Sequence, residues 1–342
     1  MDVADLVARA RRGEPRAVAR LISLVETDTA SGRAQLREVA AALAPHAGRA
    51  HVVGLTGPPG VGKSTSTSAL VTALRRRGRR VGVLAVDPSS PFSGGALLGD
   101  RVRMAEHATD DGVFIRSMAS RGHLGGLSWS TPQALRVLDA AGCDVVLIET
   151  VGVGQSEIEV VALADTTVVL LAPGMGDGVQ AAKAGILEVA DVLVVNKADR
   201  DGASRTVRDI EDAIAMGADE ASAGWRRPVV RTVAVRGEGL DELVAALDAH
   251  RTWLDGSGER ARRRRARAAA EIEAVAVERV RRRIGDMRAT GALADRVVAG
   301  ELDPYRAADE LLGSTGTGTG TGPPGTGSPT PGSGEPGPQG AP

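Results

Sequence analysis

From His51 onward the chain alternates short β-branched runs with stretches whose apolar residues recur every three or four positions. The runs cover 51–56, 81–87, 112–118, 144–149, 166–172, 191–197 and 229–235. Several are apolar nearly throughout, as in VVLIE, which is how strands covered on both faces read. This alternation predicts an α/β fold in which helices flank a mostly parallel central sheet. Ligands in such sheets sit beyond the carboxyl ends of the strands. Upstream, helical spacing marks Asp2–Ala10, Pro15–Thr27 and Ser31–Ala44, with Ser31 a candidate N-cap. These segments carry no chemical constellation and read as packing or docking helices. Downstream, 259–289 is an arginine-dense helix in which Ala269, Ile272, Val275, Ala276, Val280 and Ile284 form an apolar stripe. Short helices over 291–299 and 303–312 follow. From Gly313 the chain is mostly Gly, Thr, Pro and Ser, too poor in apolar residues to offset the entropy of ordering, and it reads as disordered. The expected segments are therefore an N-terminal helical segment (1–48), a sheet domain (49–254), a C-terminal helical pairing segment (255–312) and a tail (313–342).

Composition narrows the function classes. With 342 residues and 42% hydrophobic content, the chain can hold one large α/β domain with helical additions, or two domains. A net charge of −1 gives no global case for nucleic acid or an acidic membrane surface. The arginine run is interleaved with glutamates and lacks aromatics, which favours a paired-helix face over nucleic acid. The single cysteine, Cys143, excludes a disulfide framework and a multi-cysteine zinc site, and reads as a small apolar residue. The opening MDVADLVARARRGEP has no apolar signal core, and no apolar run approaches the roughly 20 residues that cross a bilayer. A soluble, cytoplasmic protein is expected. Trp129, Trp225 and Trp253 read as packing residues.

The chemistry concentrates at the predicted strand ends. After the first run comes Gly57-Pro58-Pro59-Gly60-Val61-Gly62-Lys63-Ser64, the phosphate-loop pattern G-x-x-x-x-G-K-[ST], and a helix is predicted from Thr65 to Leu74. Glycines let backbone N–H groups close on phosphate oxygens, and the helix N-terminus adds partial positive charge. Lys63 would reach the β- and γ-phosphates, and the Ser64 hydroxyl would ligate Mg²⁺. The tail segment Gly322–Ser328 copies the loop but has Ser328 in place of the lysine and no strand before it. Asp87 closes the second run, Asp100 follows in a glycine-rich segment, and Glu149 closes the fourth run ahead of Thr150-Val151-Gly152. Three acids near one carboxyl edge beside a phosphate loop suit magnesium or water positioning. Gly152, without a Cβ, could bring its N–H to a γ-phosphate.

The sixth run ends Asn196-Lys197-Ala198-Asp199, an N-K-x-D motif. Its aspartate can accept from guanine N1–H and the 2-amino group, donors that adenine lacks, so the site would select GTP. The last run ends near Ala234, where a further base-contacting loop is expected, with Val233 standing where a serine is usual. Two glycine-rich loops complete the set: 121–126, containing His123, and 173–178, containing Asp177 and leading to Lys183.

Together these strings resemble the MeaB/ArgK family of GTPases, relatives of the human methylmalonic aciduria type A protein. The resemblance rests on GPPGVGKST, VDPSSPFSGGALLGDRVRM, IRSMASRGHLGGLS, IETVGVGQSEIEV, APGMGDGVQAAKAGI and VVNKAD, and runs to about residue 312. It implies that Lys63 and Ser64 hold phosphate and magnesium, that Asp87, Asp100 and Glu149 form the acidic magnesium and switch cluster, and that Val153–Ile158 form a switch. It implies a further switch from Asp177 to Lys183, guanine binding by Asn196, Lys197 and Asp199, and a homodimer joined through the C-terminal helices. The implied partner is an adenosylcobalamin-dependent methylmalonyl-CoA mutase or a relative, whose cofactor loading the GTPase would gate. Slow intrinsic hydrolysis, raised by the partner, is expected because no glutamine is securely placed to orient water, Gln155 being the candidate. A nickel metallochaperone GTPase would need a His- or Cys-rich site that five scattered histidines and one cysteine do not supply. A transport-system kinase, as in the older ArgK naming, is opposed by the guanine motif.

Overall fold

The structure is a computed structural model describing residues 2–27, 30–88, 104–120, 130–150, 162–174, 188–216, 224–284 and 287–314. The chain divides into two units, 1–267 and 268–342. In the first, strands β1 (His51–Thr56), β2 (Val81–Pro88), β3 (Val113–Ser120), β4 (Val145–Thr150), β5 (Thr166–Leu171), β6 (Val192–Val195) and β7 (Val229–Arg231) form one sheet. Their order is β3-β2-β4-β1-β5-β6-β7, and every pairing is parallel. The expected α/β architecture is thus present, as a wholly parallel sheet among the described residues.

The continuous apolar runs follow from burial on both faces. Val146 and Ile148 of β4 join one core with helices α1 (Val3–Arg11), α2 (Pro15–Val25), α3 (Ala30–Leu43) and α5 (Thr131–Ala140). Val145 and Leu147 point the other way, into a core with α4 (Lys63–Arg76) and α7 (Leu240–Ser257). A third cluster seats α6 (Ala203–Met216) against Leu193 and Val195 of β6. The N-terminal helices therefore share the core of the sheet, with Leu21 and Ile22 fully buried. Asp2 caps α1 by accepting from the Ala4 N–H at 2.9 Å. Helix α3 begins at Ala30, which places Ser31 inside its first turn rather than at the expected N-cap position.

Helix α8 (Glu259–Ile284) begins on the first unit. Its early arginines face buried carboxylates at the amino-terminal edge of the sheet. Fully buried Asp165 accepts from Arg264 Nη2 at 2.9 Å, from Arg267, and from the Val52 N–H at 3.2 Å. Burial alone would raise its carboxyl pKa, but Arg264 and Arg267 outweigh that and hold it well below the usual carboxylate range. Asp191 accepts both Arg263 Nη1 and Nη2 at 2.9 Å. Between them the Thr166 hydroxyl bridges His51 Nε2 and His250 Nδ1, each at 2.7 Å. Burial pushes His51 down to about 3 and His250 to about 4, so both rings are neutral near pH 7. Trp225 lies 4.7 Å from His250 and 5.7 Å from Trp253, centroid to centroid.

In the second unit, α8 continues and is followed by α9 (Met287–Val298) and α10 (Pro304–Ser314). Arg296 of α9 pairs with Glu310 of α10 at 2.7 Å. Ile272, Val277 and Val280 of α8 are exposed, Ile272 by 70%. Among the described residues, no helix is long and apolar enough to cross a membrane.

Candidate nucleotide site

The loop of residues 57–62 joins the carboxyl end of β1 to α4, which begins at Lys63, two residues earlier than predicted. Two glycines are required sterically. Gly57 has φ +144°, and a Cβ there would stand 2.2 Å from the Leu170 carbonyl oxygen. Gly62, at φ +93°, occupies the N-cap of α4, where a Cβ would meet Asn196 Nδ2 at 2.7 Å. The loop therefore leaves the strand and enters the helix along a path that side chains would obstruct. Buried Lys63 turns its ammonium back over the loop, donating to the Gly57 and Pro58 carbonyls, the latter at 3.1 Å.

Ser64 and Glu149, 85 residues apart, meet directly: the Ser64 hydroxyl donates to Glu149 Oε1. The sheet order explains this, because β4 lies beside β1 with Leu55 opposite Glu149. The carboxylate at the end of one strand thereby reaches the helix that follows the next. Asp87 belongs to β2 one residue beyond the pairing of Val86 with Thr150, on the same carboxyl edge. Asp100, Gly152 and Lys183 lie outside the described residues, as do 153–158, Asp177 and His123.

The guanine motif leaves β6 at Asn196, whose side chain is buried. Its Nδ2 donates to the Val61 carbonyl at 2.8 Å. Its Oδ1 accepts from the Ala234 N–H at 3.1 Å and the Thr232 hydroxyl at 3.2 Å. One side chain thus ties the phosphate loop to the loop after β7. Lys197, with the left-handed φ of 58°, adds a second tie by donating to the Gly60 carbonyl at 2.7 Å. Strand β7 stops at Arg231 rather than 235, because Val233 pairs with Glu238 in an antiparallel bridge around the turn Ala234–Arg236. In that turn Arg236 Nη1 donates to Asp199 Oδ2 at 3.2 Å and Nε to Glu238 Oε1 at 2.7 Å. The N-K-x-D motif assigns Asn196 and Lys197 to the base and carries no signal for Thr232, Arg236 or Glu238. Their proximity depends on β6 and β7 being neighbours, which no local spacing encodes.

Comparison with known proteins agrees with this geometry. Residues 18–289 match the family model described as methylmalonyl-CoA mutase-associated GTPase MeaB. A Mycobacterium bovis protein named a probable GTPase is 43% identical over 319 residues, covering 91% of this chain and 95% of that one. The Escherichia coli GTPase ArgK is 38% identical over 258 residues, covering 75% and 78% respectively. The mouse mitochondrial methylmalonic aciduria type A homolog is 40% identical over 267 residues, covering 76% of this chain and 64% of that protein. The crystal structure of an LAO/AO transport system kinase superposes with a TM-score of 0.69 at 29% identity, covering 92% of this chain and 98% of that one. The phosphate loop, the strand-end acid and the guanine motif are thus held on one sheet edge, and the chain belongs to the MeaB family of GTPases.

Proposed function

We propose that this GTPase is a chaperone of an adenosylcobalamin-dependent acyl-CoA mutase, methylmalonyl-CoA mutase being the favoured partner, and that it gates cofactor loading and protects or reactivates that enzyme. The observation that carries the nucleotide half is the Asn196 tie, which links the phosphate loop to the base-reading loops. Asp199 would accept from guanine N1–H and the 2-amino group, while Asn196, Lys197 and Ala234 shape the base pocket. The backbone N–H groups of residues 57–65 and the Lys63 ammonium would hold the phosphates of GTP or GDP. The partner half is supported by the family and by the name of the mouse relative.

Ser64 and Glu149 present a hydroxyl and a carboxylate together, hard oxygen donors that fit Mg²⁺. With Asp87 and Asp100 they are the residues that would hold it, and the ion would supply neutralisation of phosphate charge. Lys63, whose ammonium donates to the Gly57 and Pro58 carbonyls, would add a fixed positive charge, Gly152 would bring its N–H to a γ-phosphate, and Lys183 would report nucleotide state to the partner. Slow unassisted turnover, raised when the mutase completes the site, follows from this arrangement. The exposed Ile272, Val277 and Val280 support pairing of two copies through the C-terminal helices. The segment boundaries 1–48, 49–254, 255–312 and 313–342 and a cytoplasmic location belong to the same proposal.

The test is GTP turnover with and without purified methylmalonyl-CoA and isobutyryl-CoA mutases. Faster turnover together with complex formation on gel filtration is expected from the true partner. Unchanged turnover and no complex with either mutase would refute the chaperone role while leaving the GTPase intact.

A further inference from the structure

We propose a second anion-binding site, for a small phosphorylated molecule, at the amino-terminal edge of the sheet. A cavity of about 400 Å³ opens there between the end of α1, the turn before β1, the end of α5 and the middle of α7. It is lined by Arg11, His46, Arg49 and Arg251, with Asp139 and Asp144 among them. The phosphate loop follows the opposite end of β1, and a six-residue strand puts on the order of 20 Å between the two. This cavity is therefore separate from the nucleotide site.

The charge balance decides what it can hold. Both aspartates are already engaged by the backbone. Asp139 accepts from the Gly48, Arg49 and Ala50 N–H groups, the last at 2.9 Å, and Asp144 accepts from the Arg80 N–H at 2.8 Å. Arg251 donates one nitrogen to the Arg49 carbonyl at 3.2 Å, and among the described residues the rest of its fork has no carboxylate partner. Among the described residues, the Arg11 and Arg49 guanidiniums have no carboxylate partner. Outside the lining itself, Arg80 Nη1 lies 3.3 Å from where a Cβ on the wall residue Gly142 would stand. In a chain of net charge −1, this is a local excess of planar, permanently charged donors. Guanidinium forks match phosphate oxygens in pairs, and the volume suits a small molecule rather than a bare ion. The wall cysteine takes no part in chemistry, because burial pushes the Cys143 thiol up to about 12. The site binds and does not react.

The probe is inorganic pyrophosphate, titrated calorimetrically into full-length protein saturated with GDP and Mg²⁺, so that the phosphate loop is already filled. One site per chain is expected. Arg49→Glu with Arg251→Glu should weaken it by about tenfold per arginine removed, with GTP turnover unchanged. Arg11→Glu alone provides the same test if the double variant folds poorly. Absence of binding to the GDP-loaded protein, or binding that these substitutions leave unaltered, overturns the proposal.

Discussion

Replacing Asn196 by alanine tests the link between the two halves of the nucleotide pocket. The side chain is 3% exposed and makes three hydrogen bonds, to the Val61 carbonyl, the Ala234 N–H and the Thr232 hydroxyl. Alanine strands all three. The threonine hydroxyl can rotate to another acceptor, so the cost falls on two buried backbone groups at about 1–3 kcal/mol each. A water entering the space of the lost amide would recover part of this, which brings the expected destabilisation to about 2–4 kcal/mol. The functional signature separates this residue from its neighbour. Asn196→Ala shifts both loops, so affinity for GDP and for inosine diphosphate should fall together, with their ratio preserved. Asp199→Asn should instead change the ratio. It loses guanine but gains xanthosine diphosphate, whose C2 carbonyl can accept from the new amide. Urea unfolding and nucleotide titration on the two variants measure both quantities. An Asn196→Ala protein within about 1 kcal/mol of the parent, or one that lost only base selectivity, would refute the tie.

Three further outcomes follow from the foot of the sheet and the base loop. Asp165→Asn removes the charge that three guanidiniums surround. It should cost about 3 kcal/mol, the low end for a broken buried pair, because Arg264 and Arg267 keep partial contact with solvent. The thermal midpoint should drop by roughly 6–12 °C, and a shift under about 2 °C would show the cluster to be solvent-screened. His51 and His250 have folded pKa values depressed from 6.5, so the unfolded chain takes up their protons first. Their contribution is whole above about pH 6.5 and is lost as pH falls toward about 4, about 3 kcal/mol for His250 alone. Urea midpoints should therefore fall through this window, and a flat profile would contradict the neutral pair. Arg236→Ala frees Asp199 from its half-exposed ion pair and should weaken GDP binding about two- to fivefold. The effect should vanish in an Asp199→Asn background, and its persistence there would place Arg236 elsewhere in recognition.

The parts legible in the sequence were those whose chemistry is contiguous or backbone-driven. The phosphate loop needs glycine at 57 and 62 for steric reasons, and N-K-x-D sits where β6 stops. Runs such as 166–172 read as strands because both faces are covered, and β5 is buried at every position. Side-chain partners far apart in the chain were the illegible parts. The arginines near 260 looked like a pairing face, yet Arg263, Arg264 and Arg267 reach carboxylates 72–102 residues away. Periodicity shows which face of a helix is charged, and says nothing of what lies opposite it. His51, Thr166 and His250 were invisible for the same reason: they converge only because β1 and β5 are neighbours and α7 ends over them.

The ring cluster at that foot gives the molecule an optical property. Trp225 and Trp253 are two of its three tryptophans, and His250 stacks on Trp253 at 5.5 Å with 17° between planes. Indoles this close share excitation, and a neutral imidazole beside them quenches emission less than an imidazolium. Acidification should therefore dim the tryptophan signal as His250 takes its proton and before the sheet opens. Near-ultraviolet spectra of this GTPase would then report on the place where α8 is fastened, at the end of the sheet opposite the nucleotide.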